Sequence, residues 1–249
     1  MLVHGFTQSS LSWRHVAAEL SADHEVVCVD LPGHGASSSR RVASLSEAAE
    51  LLGATGGRAA YVGYSLGGRC CLTLALERGA LVEHLVLVGT TAGIEDPDER
   101  AARRAADDAL ADRLEPVPGS PGADGRPSLE PFLREWLAGP LFAHLTPEQA
   151  DLDARLVNTG TGLASSLRSM GTGTQHPSWG ELSRIEAPTL LVTGGLDERF
   201  GRLAARMAKA IGPSARHVVV PGAGHSVPFE APAAFVALLR AELTGRSRP

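Results

Sequence analysis

Short apolar runs recur along the chain, and each is followed by a stretch of helical periodicity. Six runs are rich in valine, leucine and other strand-forming residues, at positions 1–3, 25–30, 59–64, 83–89, 189–194 and 216–222. Their apolar residues are nearly continuous rather than alternating, which is typical of strands buried on both faces of a parallel sheet. The pattern therefore predicts a mostly parallel sheet of about six strands.

Helical patterns fill the intervals between these runs. Apolar residues recur at helical spacing at positions 11–20, 44–53, 67–79, 198–212 and 231–243. Strands that alternate with helices give the βαβ order of a doubly wound fold, in which helices flank the sheet. The fold class predicted from the pattern is α/β.

One long segment interrupts this alternation. Positions 92–184 contain no good strand candidate but show three helical patterns, at 98–114, 128–139 and 146–170. We expect this segment to be a helical cap, inserted after the fourth strand and lying over the strand ends. Within it, the Pro- and Gly-rich stretch 116–128 predicts a mobile loop. The whole chain, 1–249, is expected to form one domain, because 249 residues with 43% hydrophobic content suffice for one core.

Charge and cysteine content narrow the classes of partner. The formal net charge is −5, and no cluster of lysine and arginine is present, which argues against nucleic acid as a partner. The three cysteines lie in apolar runs, as reduced core thiols of a cytoplasmic protein do. No signal peptide or run of about 18 apolar residues is visible, so we expect no membrane insertion and a location in the cytoplasm. A monomer or homodimer is expected.

A serine between glycines is the first candidate for chemistry. Gly63-Tyr64-Ser65-Leu66-Gly67 matches the G-x-S-x-G pattern, with a strand run before it and a helical pattern after it. In such a turn the glycines leave room for a strained serine whose hydroxyl projects above the sheet. The alternative is a glycine-rich turn in which the serine is incidental.

A serine hydroxyl needs a base, and the base needs an acid to fix its tautomer. Asp197 follows the fifth apolar run and His225 follows the sixth, so the chain order Ser65, Asp197, His225 matches that of α/β-hydrolases. Asp197 is also placed to cap a helix, and Glu198 and Asp30 are alternative acids. We expect Asp197 to be the acid and His225 the base.

Motifs spread over the whole chain carry a family resemblance. The stretches "HGF", "VDLPGHGASS", "GYSLGGR", "GLDERF" and "GAGHSVPFEAP" together resemble the α/β-hydrolase superfamily. The resemblance assigns the backbone N–H groups of Phe6 and Leu66 to an oxyanion hole. Members of the family carry one or two strands before the "HGF" strand, which are missing here, so the run at 25–30 is expected to be a sheet edge.

Within the superfamily, the segment 92–184 is the more specific indicator, because caps vary with substrate. The stretches "FLREWLAGPLFAHL" and "GLASSLRSMGTGTQHPSW" look like the 2-succinyl-6-hydroxy-2,4-cyclohexadiene-1-carboxylate synthases of menaquinone biosynthesis. That resemblance implies a lyase, in which the serine acts as a base and pyruvate leaves an enolpyruvyl cyclohexene carboxylate. The alternative is an esterase, lactonase or C–C hydrolase that acts through an acyl-enzyme on Ser65.

A small anionic carboxylate substrate calls for cations in the site, and arginine suits bidentate carboxylate recognition. The resemblance points to five substrate-binding residues: Arg69, Arg168, Trp136, Tyr64 and Arg103. Arg103 and Arg168 could equally be solvated surface residues. No C-x-x-C or H-E-x-x-H spacing occurs, so we expect neither a metal nor a cofactor.

Overall fold

Six parallel strands form one sheet in the order β2-β1-β3-β4-β5-β6. The computed structural model describes residues 1–115 and 129–244. The strands are β1 (Leu2–Val3), β2 (Cys28–Val29), β3 (Ala59–Tyr64), β4 (Val82–Val88), β5 (Thr189–Gly194) and β6 (Ala215–Val220). The parallel sheet predicted from the apolar runs is confirmed, and β2 lies at one of its edges.

Eleven α-helices accompany the sheet in the described residues. They are α1 (Arg14–Leu20), α2 (Leu45–Gly56), α3 (Leu66–Glu77), α4 (Pro97–Leu114), α5 (Glu130–Leu137), α6 (Pro147–Ala150), α7 (Leu152–Arg155), α8 (Gly160–Met170), α9 (Glu198–Ile211), α10 (Val227–Glu230) and α11 (Pro232–Thr244). None of the described helices is both long enough and apolar enough to span a bilayer.

Both faces of the sheet are covered by apolar packing. One cluster joins Val3, Tyr61 and Leu87 to the buried sides of α2, α3 and α9. On the opposite face, a second cluster joins Val62 and Val86 to α1 and α11. Every residue of β5 is buried, as the continuous apolar run predicts. The sheet is therefore a rigid layer whose strand ends are fixed relative to one another.

The helices α4 to α8 all lie between β4 and β5 in the chain. Buried residues of α4, α5 and α8 form a third apolar cluster of their own. The single helical pattern at 146–170 is divided into α6, α7 and α8, because Asp151 adopts a left-handed conformation (φ 49°) and Thr159 caps a new helix. The loop expected at 116–128 lies outside the described residues.

Candidate active site

Ser65 occupies a sharp turn between β3 and α3. Its backbone angles are φ 51° and ψ −107°, a conformation that few non-glycine residues adopt. Two backbone contacts hold the turn, because Ser65 N–H donates to Val88 O (2.8 Å) and Thr90 Oγ1 donates to Ser65 O (2.9 Å). A residue held in such strain is a mark of a functional turn.

The glycines around Ser65 are required by space. A Cβ on Gly63 would lie 2.4 Å from Gly67 O, and a Cβ on Gly67 would lie 2.2 Å from Val3 O. On Gly68 it would lie 2.7 Å from Thr90 Cβ. The turn and the first residues of α3 thus pack directly against the backbone of β1 and the loop after β4. An incidental serine in a loose glycine-rich loop does not explain this packing.

Asp197 and His225 meet at the carboxyl ends of β5 and β6. His225 Nδ1 lies 2.8 Å from Asp197 Oδ2. Because a carboxylate only accepts hydrogen bonds, Nδ1 carries the proton in this pair and Nε2 is the basic nitrogen. Asp197 Oδ1 meanwhile accepts from Phe200 N–H (3.1 Å), so the same side chain caps α9.

The pKa of Asp197 reflects opposing influences. Burial by itself raises this pKa, but the hydrogen bonds from His225 and Phe200 N–H lower it, helped by the charges of His225 and Arg199. The net effect is a pKa below the ordinary value of an aspartate, so the carboxylate remains charged beside His225. The other candidate acids do not reach this position, since Glu198 pairs with Arg202 and Asp30 accepts from loop N–H groups.

The His225 side chain is held from several directions. Phe200 and Tyr64 pack against its ring at centroid distances of 4.5 and 5.5 Å. Gly89, at the end of β4, leaves room for the ring, because a Cβ there would lie 2.9 Å from His225 Cε1. Glu230 fixes the backbone on either side by accepting from Gly224 N–H (2.5 Å) and Ser226 N–H (2.8 Å). Glu230 was not recognised from the sequence, although it lies in the quoted "GAGHSVPFEAP" motif.

Two backbone N–H groups near the serine have no acceptor among the described residues. Leu66 is the first residue of α3, and Phe6 lies in the loop after β1; neither N–H donates to a described protein atom. Both residues line the cavity that contains Ser65. A helix N-terminus and a free loop amide are the groups that stabilise a developing oxyanion. Ser65 Oγ likewise makes no hydrogen bond to a described residue.

His4 supports the loop after β1 as a neutral side chain. Its Nε2 accepts from Leu31 N–H (3.1 Å), so the proton is on Nδ1, which lies 2.8 Å from Gly5 O. The ring is fully buried, and burial lowers the pKa of His4 to about 4. His34, whose ring lies 4.9 Å away, has a pKa lowered mainly by the same cause.

Stability is expected to fall in mildly acidic solution because of His4. Between pH about 6.5 and about 4 the unfolded chain binds a proton at this position that the folded chain does not, so the free energy of unfolding decreases as pH falls through that window. The loss from His4 alone is at most about 3 kcal/mol. Urea unfolding at several pH values measures it. His4→Gln is expected to reduce the dependence, with His34 responsible for part of what remains, and substitution of the exposed His15 is expected to leave it unchanged.

A cavity of about 840 Å³ opens above Ser65. Its walls come from the turn after β3, the loops after β4 and β5, and the faces of α4, α8 and α9. A larger depression of about 960 Å³ lies at the amino ends of the strands, around Leu2 and Ala59, and Ser65 does not line it. The carboxyl ends of parallel strands are where α/β folds bind ligands, so we take the cavity above Ser65 as the candidate site.

Arg69 contributes a buried cation to this cavity. Only 7% of the residue is exposed, and Arg69 Nη1 donates to Met170 O (2.7 Å). Burial lowers the pKa of Arg69 to about 10, so the side chain remains charged at neutral pH. It forms no ion pair with any carboxylate in the described part of the chain. A charge that is buried without a paired carboxylate is costly, and because Arg69 lines the cavity, a carboxylate of a ligand there would offset that cost.

Arg103 and Trp136 also line the cavity, as expected from the sequence. Arg103 Nε lies 2.8 Å from Oδ1 of the buried Asp107, which balances part of its charge, while its side chain remains 39% exposed and lines the cavity. Trp136 packs edge-on against Phe6, with ring centroids 5.4 Å apart, and its buried Nε1 has no hydrogen-bond partner among the described residues. Trp136 therefore supplies an apolar wall of the cavity.

The structure contradicts two expected positions. Arg168 does not point into the cavity; it pairs with Asp112 and Glu115 on the outer side of α8 and lines a separate surface depression. Tyr64 does not line the cavity: because side chains alternate along β3, it is buried with Val62 on the face of the sheet that α1 and α11 cover. Its hydroxyl lies 2.7 Å from Ser226 Oγ. Arg168 and Tyr64 are thus removed from the set of substrate contacts.

Trp179 and Arg206, both overlooked in the sequence, form part of the cavity wall. The Arg206 guanidinium lies 3.8 Å from the Trp179 ring centroid and pairs with Glu95 through two contacts of 2.5 and 2.9 Å. Trp179 Nε1 donates to Gly93 O (2.9 Å). These contacts join α9 to the loop after β4, and no local pattern distinguishes them from ordinary surface residues.

Known proteins of similar sequence belong to the same fold family as the arrangement of Ser65, Asp197 and His225 indicates. Residues 1–238 match the model of the alpha/beta hydrolase family. The 2-succinyl-6-hydroxy-2,4-cyclohexadiene-1-carboxylate synthase of Enterobacter sp. (strain 638) is 32% identical, over 96% of this chain and 89% of its own. A Bacillus subtilis (strain 168) protein that carries the same name provisionally is 34% identical, over 97% of this chain and 89% of its own.

Solved structures extend the comparison. MenH from S. aureus superimposes with a TM-score of 0.87 and 27% identity, covering 98% of this chain and 92% of that one. A thermophilic esterase from Thermogutta terrifontis, solved with malate bound, gives a TM-score of 0.76 and 25% identity, covering 98% and 88%. The chain is a member of the alpha/beta hydrolase family and, within it, of the group of 2-succinyl-6-hydroxy-2,4-cyclohexadiene-1-carboxylate synthases.

Proposed function

We propose that this protein is a lyase that eliminates pyruvate from an enolpyruvyl cyclohexene carboxylate to give 2-succinyl-6-hydroxy-2,4-cyclohexadiene-1-carboxylate. The proposal is supported by its named relatives and by one observation above all: the buried cation of Arg69 lines the same cavity as Ser65 and lacks a carboxylate partner among the described residues. A substrate with several carboxylates supplies the missing counter-charge.

In this reaction Ser65, Asp197 and His225 act as a triad. His225 Nε2 takes the hydroxyl proton of Ser65, and Ser65 Oγ removes a ring proton adjacent to the succinyl carbonyl. The electrons of the broken C–H bond form a ring double bond as the C–O bond to the enolpyruvyl group breaks, and the leaving enolate takes up a proton to become pyruvate. Although Ser65 Oγ and His225 are not hydrogen-bonded in the structure, such bonds commonly tighten only when substrate binds.

The proposed reaction also needs hydrogen-bond donors for a negatively charged oxygen. Removing a proton next to a carbonyl places negative charge on the carbonyl oxygen. The N–H groups of Phe6 and Leu66 are proposed to stabilise that charge, since both line the cavity and lack other acceptors in the described chain. No covalent acyl-enzyme is required, and no metal or cofactor has a part in the proposal.

The helices between β4 and β5 are proposed to act as a cap within a single domain. Residues of α4, α5 and α8 supply one wall of the cavity, while the sheet supplies Ser65 and its partners. We propose that the substrate binds between the two, with Trp136 against its ring and Arg69 and Arg103 near its carboxylates. The enzyme is proposed to work in the cytoplasm as a monomer or homodimer.

The alternative is a serine hydrolase that forms an acyl-enzyme on Ser65. It is favoured by the strained turn at Ser65, here called the elbow, and by the Asp197–His225 pair, since both serve acyl transfer equally well. It is also favoured by the likeness to an esterase. Incubation with the enolpyruvyl precursor, followed by pyruvate release, decides between the two, beside a panel of p-nitrophenyl esters. Brisk ester cleavage without pyruvate release would reject the lyase.

Arg69→Gln should separate anionic from neutral substrates. Glutamine keeps a polar N–H group but is shorter and removes the charge, so kcat/KM for the anionic precursor should fall by about a hundredfold, as for loss of a charged hydrogen-bond partner. Turnover of a small neutral ester should change by less than about threefold. Arg100→Gln, which also removes an arginine bonded to a carbonyl, is the matched control. Equal losses on both substrates would mean that Arg69 is structural.

A further inference from the structure

The loop after β1, residues 4–9 and here called the β1 loop, contains a strained and fully buried residue. Thr7 has φ 67°, in the left-handed region that β-branched residues strongly avoid. The other non-glycine residues of the described chain with positive φ are Ser65 and Asp151. A conformation of this kind persists only where the surroundings enforce it.

Asn158, in the connection between α7 and α8, enforces it through the backbone. Its Nδ2 donates to Thr7 O (2.9 Å) and Gln8 O (3.3 Å), and also to Arg155 O (2.9 Å). Its Oδ1 accepts from Gly35 N–H (2.8 Å) in the loop after β2. The side chain is buried, with 6% of the residue exposed, and it joins three segments that are distant in sequence.

Arg155 holds the same loop through its side chain. Arg155 Nη1 donates to Thr7 Oγ1, and Arg155 Nε donates to Ala150 O (2.7 Å). The residue is 3% exposed and forms no ion pair with a carboxylate in the described residues. Neither Arg155 nor Asn158 lines the cavity above Ser65, so a direct contact with substrate does not explain their burial.

Thr7 directly follows Phe6, so the contacts that hold Thr7 also affect the orientation of the Phe6 N–H group. The Phe6 N–H belongs to the peptide unit between Gly5 and Phe6, and Phe6 and Thr7 are the two central residues of the turn that Gln8 N–H closes on Gly5 O. The backbone angles of Phe6 are therefore coupled to the left-handed conformation of Thr7. At the start of the loop, Gly5 N–H donates to Gln8 Oε1 (2.9 Å) and Gln8 N–H to Gly5 O (3.2 Å), which makes the turn compact but leaves Thr7 to be held from outside.

We infer that Asn158 and Arg155 are positioning residues: they hold Thr7 in its strained conformation, so that the Phe6 N–H is aimed at the oxyanion formed beside Ser65. The inference rests on the proposed function only in assuming that an oxyanion develops at this site, in either the lyase or the hydrolase reaction. It also links the helical segment to the sheet, because both residues belong to the former and the β1 loop to the latter.

Two variants test this inference, Asn158→Ala and Arg155→Met, with Thr159→Ala as the matched control. Thr159 caps α8 beside Asn158, accepting from Gly162 N–H (3.1 Å), so its loss also weakens the helical segment but leaves the β1 loop untouched. Each of the two variants is expected to lower kcat by about thirtyfold, while KM changes by less than about threefold, because a misplaced oxyanion donor acts on the transition state. Thr159→Ala is expected to keep kcat within about twofold.

Hydrogen exchange supplies a readout that does not depend on turnover. A peptide spanning residues 4–9 should exchange its amides faster in both variants than in the wild type or Thr159→Ala, whereas peptides of β3 and β4 should be unchanged. If wild-type protein neither releases pyruvate nor cleaves esters, the proposed function fails, and the exchange comparison still decides whether Asn158 and Arg155 hold the loop.

Three results would overturn the inference. The first is a folded variant with wild-type kcat and wild-type exchange at residues 4–9. The second is an effect confined to KM, which would place Asn158 or Arg155 in contact with substrate. The third is an equal fall of kcat in Thr159→Ala, which would reduce the effect to general destabilisation. If Asn158→Ala does not fold, Arg155→Met gives the decisive comparison by the same criteria.

Discussion

Ser65→Ala is expected to lower pyruvate release by about a thousandfold or more, because it removes the group proposed to take the ring proton. The fold should be retained. The contacts of the turn are made by the Ser65 backbone, to Val88 O and Thr90 Oγ1, and the hydroxyl makes none with a described residue. Alanine also has the same backbone preferences in this strained conformation. Pyruvate release by purified variant, with circular dichroism and thermal unfolding alongside, measures both parts.

Ser21→Ala is the matched control for this prediction. Ser21 is an exposed serine at the end of α1, whose hydroxyl donates only to Ala17 O (2.6 Å), so its loss should leave turnover within about twofold. Near-normal turnover in folded Ser65→Ala would show that the serine is incidental. The elbow would then serve only to position α3 and its N–H groups.

Asp197→Asn is expected to lower kcat by about a thousandfold to ten-thousandfold through the tautomer of His225. Asparagine can keep Oδ1 as the acceptor for Phe200 N–H, so the cap of α9 survives. It then turns an N–H group toward His225 Nδ1, where a carboxylate oxygen stands now. The imidazole can satisfy that donor only by moving its own proton to Nε2, and Nε2 then has no lone pair with which to accept the Ser65 proton.

Glu198→Gln is the control for the acid. Glu198 follows Asp197 directly, but its side chain is exposed and pairs only with Arg202, at 3.4 Å. Its neutralisation should therefore leave kcat within about twofold. A large loss in Glu198→Gln together with a small loss in Asp197→Asn would reverse the assignment of the acid. The pH profile of kcat in Asp197→Asn, recovering at high pH, would support the tautomer explanation.

The strands and most helices could be predicted from the sequence, because each leaves a pattern of apolar residues within its own segment. Continuous apolar runs mark strands such as β5, whose burial on both faces demands them, and helical spacing marks α9, which buries only one side. The division of 146–170 into three helices escaped the pattern. The left-handed Asp151 and the cap at Thr159 interrupt a periodicity that is otherwise continuous.

A residue of the candidate site could be predicted from the sequence where the end of a strand fixes its place. It could not where contacts between distant segments fix its place. Ser65, Asp197 and His225 each follow a strand, and parallel strands bring their carboxyl ends to one edge, so their neighbourhood could be predicted. The prediction that Arg168 contacts the substrate was wrong, because its position on α8 faces away from the cavity and its side chain pairs with Asp112 and Glu115. Asn158 was missed because its partners lie about 150 positions away in the chain.

The packing of the elbow against β1 also bears on how this enzyme can acquire new substrates. Since the turn at Ser65 leaves no room for a side chain at Gly63 or Gly67, a mutagenesis library gains nothing by varying those positions. We expect diversity to be tolerated on the cavity-facing sides of α4 and α8, whose side chains line the cavity without forming the turn. New specificity in this scaffold is therefore expected to come from the helical side of the cavity, because the side built by the turn has no space in which to vary.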